Sequence, residues 1–570
     1  MAEGGGASPP PGGPPAKRGM GWRLWAIIAV VAIVIIAAVA YVVTRPAATR
    51  DTSTLVYYMQ SEPVTMDSSD AYDLWSFVAL QNTYDTLLGY NKDTTTLVPD
   101  LASEVPTVAN GGISADGLNY TFHIRQGVQF CDGKNLTASD VYASFRKVLL
   151  EASPESGVAW ILNQTLDPNN IPGSLWVKDT YTIQMNLTAP YTAFLVTLAT
   201  VEPSAIMEGA WIEAHGGVQH YIANDYIKQN TMGTGPYCMS SSDWIKGSQM
   251  TLHANTHFWR GWHGTEPTTL VMKFTSDPTS RVEAIRTGAA DIADLPLSSV
   301  SQVTGLSGVV AKANATIKSE IVTMNVTNPY MADNTSGRLV RQAFSYAFDY
   351  NATIANDYAG FASFLPGPIP AGMQYFDSQH QYYYQNLTKA GQLLDQAGYP
   401  KVGNTRFGGY AFRIVADGTQ LEEANAARRF QTTLQGLGVH TDLQIKPSTD
   451  AWDTARSTAT YDFFVAHWVL DYLDADDYVT PMVMSSDFGG DYWHTGFANT
   501  TIDHYASIAR SELSTTTRAA DYAQVWATAM ANPNMIWFCQ QQYVPIYQSY
   551  MKGFFFNPVT WYNFYFYQKT

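Results

Sequence analysis

The chain has 570 residues, 46% of them apolar, enough to bury more than one core and too many for a disordered protein. Only 14% are charged, and 33 basic against 49 acidic residues leave a net charge of −16. With no cluster of Lys and Arg to neutralise phosphates, nucleic-acid binding is excluded.

Residues 1–23 open with a Gly-, Pro- and Ala-rich stretch that cannot form a core and read as a disordered cytoplasmic tail. Residues 24–44 follow, and from Trp25 to Val43 none is charged. At 1.5 Å per residue such a run spans roughly 30 Å, the thickness of a bilayer core, and predicts a transmembrane anchor. Lys17, Arg18 and Arg23 stand before it, which places the N-terminus inside and the body outside, at the cell membrane in a single pass. The rival reading is a cleaved signal peptide, for which Ala38-Val39-Ala40 is a small-residue cleavage site. Residues 45–54 form a short linker in either case.

The body begins with the alternating run Leu55-Val56-Tyr57-Tyr58-Met59, a strand pattern. The segment 120–148, YTFHIRQGVQFCDGKNLTASDVYASFRKV, reads as a strand, turns at Gly127 and Asp132-Gly133, and a helix capped by Thr137 or Ser139. Helices are expected over about Ser280 to Thr287, stopped by Gly288, and over Thr388 to Ala397, stopped by Gly398. This mixture of strands and helices predicts an α/β body of several lobes. Cys131, Cys238 and Cys539 lie far apart and allow one disulfide or none.

Ten Asn-x-Ser/Thr sequons begin at Asn119, Asn135, Asn163, Asn186, Asn314, Asn325, Asn334, Asn351, Asn386 and Asn499, all in the exported body. They are the candidate glycosylation sites of a surface glycoprotein. There is no phosphate loop, HExxH pair or Gly-x-Ser-x-Gly elbow, so no enzyme and no cofactor is expected. His253, His257 and His263 flank a loop-like Phe258-Trp259-Arg260-Gly261-Trp262 and are read as structural rather than as metal ligands.

Six stretches in order resemble the peptide/nickel-type (family 5) solute-binding proteins of ABC importers. They are 120–148, Gly233-Thr234-Gly235-Pro236-Tyr237, 255–296, 337–350 and 386–400, with His467-Trp468-Val469-Leu470-Asp471-Tyr472. Cys131 stands where the family usually has His. The resemblance implies a hinged periplasmic-binding-protein-like fold of the three-lobed (cluster C) type. Lobe I would take residues 55–75, 200–319 and 530–570, lobe II 76–199 and lobe III 320–529. It also implies an extracytoplasmic, monomeric receptor that closes on an oligopeptide and delivers it to ABC permease subunits. Two ligand-site segments carry over. Ser61-Glu62, followed by Met66-Asp67, resembles the first-lobe segment whose glutamate lies beside the ligand backbone. In the second, Trp468 would line the cleft beside Tyr472, and Asp471 would pair with a peptide α-ammonium. Where the family often continues with Pro or Asn-Glu/Asp-Pro, this chain has Leu473, Asp474 and Ala475. An oligosaccharide is the alternative solute, given 13% aromatic residues that can stack on sugar rings, and a structural surface glycoprotein is the alternative class.

Overall fold

The computed structural model describes residues 4, 6, 51–152, 157–163, 165–378, 383–485 and 492–570. The expected anchor at 24–44 lies outside the described residues; among those described, no helix is long and apolar enough to cross a membrane. Residues 52–570 form one compact unit.

Alternation in the first strand, Thr54–Met59, buries Leu55, Tyr57 and Met59 on one face. That strand pairs in parallel with Thr269–Phe274 and Ile292–Ala293 at the centre of an eight-stranded sheet. A three-stranded antiparallel sheet, Asn119–His123, Thr182–Asn186 and Leu175–Asp179, carries the helix Ala138–Glu151. A six-stranded mixed sheet runs in the order Ala362–Phe364, Met535–Tyr543, Asn314–Met324, Phe463–Trp468, Ala411–Asp417, His440–Lys446.

The chain passes between the eight- and six-stranded sheets through two short links. One joins Val309–Ala311 to Asn314–Met324; the other joins Met535–Tyr543 to Ile546–Gln548. Asn314–Met324 therefore runs unbroken through the expected lobe bound at 319. Met535–Tyr543 lies in the six-stranded sheet, so the return expected at 530 falls after Tyr543. Strand pairing, not motif order, decides where these crossings fall.

Local readings hold where local chemistry decides them. The helix Leu387–Gln396 buries Ala390, Leu393 and Leu394, and Gly398 follows at φ 93°. The helix ending at Thr287 starts at Pro278 rather than Ser280, because Asp277 accepts from Thr279 N and Ser280 N and proline fits a first turn. Thr137, not Ser139, caps Ala138–Glu151, its backbone N donating to Asp140 Oδ2 at 2.8 Å. A Cβ on Gly233 would lie 2.2 Å from the Thr83 carbonyl oxygen, so the Gly233-Thr234-Gly235 turn has no room for a side chain. The histidine reading is refined in one respect, since His253 lies on a strand, Gln249–Ala254, and faces Asp243 at 3.4 Å. His263 meets Glu266 at 3.0 Å.

Cys131 and Cys238 form a disulfide with Cα atoms 6.1 Å apart, and Cys539 is a buried free thiol. The bond ties the turn that precedes Ala138–Glu151 to an edge strand of the eight-stranded sheet, closing a separation of 107 residues. Replacing both cysteines with serine is expected to lower unfolding stability by about 2–4 kcal/mol, read as a fall in the urea midpoint without reductant. A midpoint unchanged within error would show that the bond adds nothing.

Of the sequon asparagines, Asn325 is excluded as a glycan acceptor in the folded chain. It is buried, and its Nδ2 donates to the Tyr461 carbonyl at 3.0 Å. Asn135, Asn334 and Asn351 are exposed. Asn334, Asn386 and Asn499 cap helices through Oδ1. Asn163, Asn119, Asn186 and Asn314 are half-buried.

Candidate solute site

The strand Phe463–Trp468 ends in the turn that carries Asp471, and the helix Asp476–Val483 follows. Two of the four aspartates here are structural anchors. Asp474 receives two hydrogen bonds from the Arg518 guanidinium, at 2.6 and 2.8 Å. Asp476 faces Arg510 at 3.3 Å and accepts from Tyr191 and Tyr472 hydroxyls at 2.8 and 2.9 Å.

The other two have no such partner. Among the described residues, neither Asp471 nor Asp477 forms an ion pair, although both are buried, at 5% and 0% exposure. Asp471 Oδ2 accepts from the Tyr72 hydroxyl at 2.7 Å and from Trp160 Nε1 at 3.2 Å. Asp477 Oδ2 accepts from the Asp471 backbone N at 3.1 Å and from Trp468 Nε1 at 3.4 Å, while its Oδ1 has no hydrogen-bond partner. The indole of Trp160 lies 5.4 Å from the Tyr472 ring, centroid to centroid.

Burial pushes the Asp471 carboxyl up to about 7, against the hydrogen bonds from Tyr72 and Trp160. Burial and then the charge of Asp471 push Asp477 well above the usual carboxylate range. Glu202, also buried and with Oε2 unpartnered, is pushed up to about 8 by burial, with Asp471 and Asp73 adding to it. The seam is thus a cluster of buried carboxyls with no cation paired to Asp471 or Asp477 among the described residues, and a positively charged ligand would favour their ionised forms.

Three parts of the chain meet at Asp471. Tyr72 comes from the segment after the first strand, Trp160 from the region of the three-stranded sheet, and Asp471 from the end of a six-stranded-sheet strand. Trp468, Asp471 and Tyr472 lie at one strand end, where Trp468 donates to Asp477 and the Tyr472 hydroxyl to Asp476. Glu62 is held elsewhere: its Oε2 accepts from Trp244 Nε1 at 3.2 Å and Gly247 N at 3.0 Å, bracing a hairpin of the eight-stranded sheet. Sequence reasoning missed Tyr72, Trp160 and Glu202, which lie hundreds of residues before Asp471 and which no local pattern marks.

The family model "Bacterial extracellular solute-binding proteins, family 5 Middle" matches residues 96–490. A probable D,D-dipeptide-binding periplasmic protein of Escherichia coli is 26% identical over 530 residues, covering 91% of this chain and 94% of its own. Heme-binding protein A of Haemophilus influenzae is 26% identical, over 78% of this chain and 79% of its own. A Helicobacter pylori periplasmic binding protein solved with the peptide STSA superposes with a TM-score of 0.77 at 23% identity, over 90% of this chain and 98% of that one. The Bacillus subtilis oligopeptide-binding protein AppA, solved with a nonapeptide, gives 0.75 at 17% identity, over 91% and 99%.

Proposed function

Because the chain belongs to the bacterial extracellular solute-binding proteins of family 5, we propose that it captures short peptides with a free α-ammonium and hands them to an ABC permease. The observation that carries this reading is the buried Asp471 carboxyl, paired with no cation among the described residues, where three parts of the chain meet. A solute that touches all three favours the closed arrangement over the open one, which is what closure on a ligand requires. Trp468 and Tyr472 wall the site, and Glu62 retains Oε1 to meet a ligand on the eight-stranded-sheet side.

The three sheets correspond to three lobes in this reading, and the two short links after Ala311 and Tyr543 are its hinge. Residues 24–44 anchor the receptor as a monomer on the outer face of the membrane, and Asn135, Asn334 and Asn351 are the best-placed glycan acceptors. A disulfide suits that compartment, since such bonds persist where the surroundings are oxidising.

The test is calorimetric titration of the full chain with a pool of short peptides, compared with the same pool N-acetylated. The free-amino pool is expected to bind at least ~10-fold more tightly, since acetylation removes the charge that Asp471 would meet. Equal affinities would overturn the α-ammonium assignment. A neutral oligosaccharide that bound in place of both pools would overturn the peptide reading.

A further inference from the structure

On the opposite face of the strand that carries Trp468 lies a second cluster that the solute site does not use. Successive residues of a strand point to opposite faces, so His467 is turned away from the Trp468 side. Its Nδ1 lies 2.5 Å from Oε1 of Glu423, in the first turn of the helix Leu421–Gly436. Glu320, on the neighbouring strand Asn314–Met324 and in register with His467, completes the group. One donor atom from each of the three lies within 4.8 Å of the others.

Glu320 and Glu423 are 0% and 1% exposed, and Oε2 of each is buried without a hydrogen-bond partner. Among the described residues the cation paired with this group is Lys318, whose Nζ sits 2.9 Å from Glu320 Oε1 and also donates to Gln541. One ammonium set against two buried carboxylates leaves a negative charge over. Such a deficit is costly in a buried site unless a carboxyl keeps its proton or a further cation joins.

We propose that Glu320, Glu423 and His467 form a binding site for one divalent transition-metal ion of the zinc class, separate from the solute site around Asp471. One imidazole and two carboxylates are a donor set that zinc accepts in tetrahedral sites that keep a fourth position free. Metal–ligand lengths of about 2.0–2.2 Å put neighbouring donors roughly 3.4 Å apart, so the His467–Glu423 contact must open by about 1 Å. His467 is only partly buried, with 27% of its side chain exposed. The buried thiol of Cys539, the register partner of Glu320 across the next strand, borders the site. A bound ion would pin the start of Leu421–Gly436 to two strands of the sheet. That helix start already reaches the eight-stranded-sheet region, since the Leu297 backbone N donates to Glu422 Oε1 at 3.0 Å.

Zinc titration of the chelator-stripped full chain by calorimetry tests this, with His467→Gln and Glu423→Gln alongside and circular dichroism to confirm their folding. One equivalent is expected to bind, with at least ~100-fold weaker affinity in His467→Gln, a loss larger than that of a supporting group. Zinc is also expected to raise the thermal midpoint of the native chain and not that of His467→Gln. Wild-type affinity and stoichiometry in both variants would overturn the site, because the ion would then sit elsewhere. Absence of saturable binding to the native chain would overturn it as well, and would mean that Lys318 and a retained proton satisfy the two carboxyls.

Discussion

Replacing Lys147 with methionine is expected to cost the folded chain about 3–5 kcal/mol, the range found when one partner of a buried ion group is removed. Lys147, on Ala138–Glu151, is 1% exposed, and its Nζ meets Asp67, Ser69 Oγ at 2.6 Å and Glu151 Oε2 at 2.7 Å. Asp67 belongs to the segment after the first strand, so this one ammonium joins the three-stranded-sheet region to the eight-stranded-sheet region. Methionine fills the volume but leaves two buried carboxyls without compensation. Burial already pushes Glu151 up to about 7, and Lys147 is the charge that opposes the rise. A carboxyl whose folded pKa is raised stabilises the fold most at acid pH and loses that contribution as pH rises. The deficit of Lys147→Met is therefore expected to be largest above about pH 7 and to shrink toward acid. Adding Glu151→Gln to Lys147→Met should recover part of it. Urea unfolding of the three proteins at two pH values measures all of this; a cost below ~1 kcal/mol at neutral pH would show that the triad is not a stabilising hub.

Asp471→Asn is expected to weaken binding of free-amino peptides at least ~30-fold, from the roughly 2–5 kcal/mol lost when one member of a buried charge pair is removed. Asparagine keeps the shape and can still accept from Tyr72 and Trp160, so a loss would report charge rather than collapse. The pH dependence separates these further. In the ligand-free site Asp471 holds its proton up to about 7, and an arriving ammonium favours the ionised form. Affinity should accordingly fall as pH drops below about 7, by up to tenfold per unit, and binding near neutrality should release protons. An ordinary carboxylate would place that fall near pH 4. Calorimetry in buffers of different ionisation enthalpy counts the protons released. A flat profile from pH 8 to 5, or one shared by Asp471→Asn, would remove Asp471 from the site.

The parts of the fold that sequence makes legible are those decided within a turn or two. The buried alternation of Leu55, Tyr57 and Met59 is one; the stop at Gly398 and the crowded glycines before Tyr237 are others. The nearness of Trp468 and Asp471 is legible because a motif carries both at one strand end. Tyr72 and Trp160 were not, since their meeting with Asp471 is made by the packing of distant segments and leaves no trace in spacing. The sequon at Asn325 reads like any other, and only the Tyr461 carbonyl opposite it shows that its amide is spent. Three cysteines likewise allow three pairings, and nothing near Cys539 announces that a sheet buries it.

That pairing also has an order in time. A chain crossing a membrane from its N-terminus presents Cys131 and then Cys238 to the oxidising side long before Cys539 arrives. The two partners can close their loop while the third thiol is still inside, and the strand Met535–Tyr543 then takes Cys539 into the interior of its sheet. Chain order thus favours the pairing seen, and moving the odd cysteine to a site between the other two would remove that advantage.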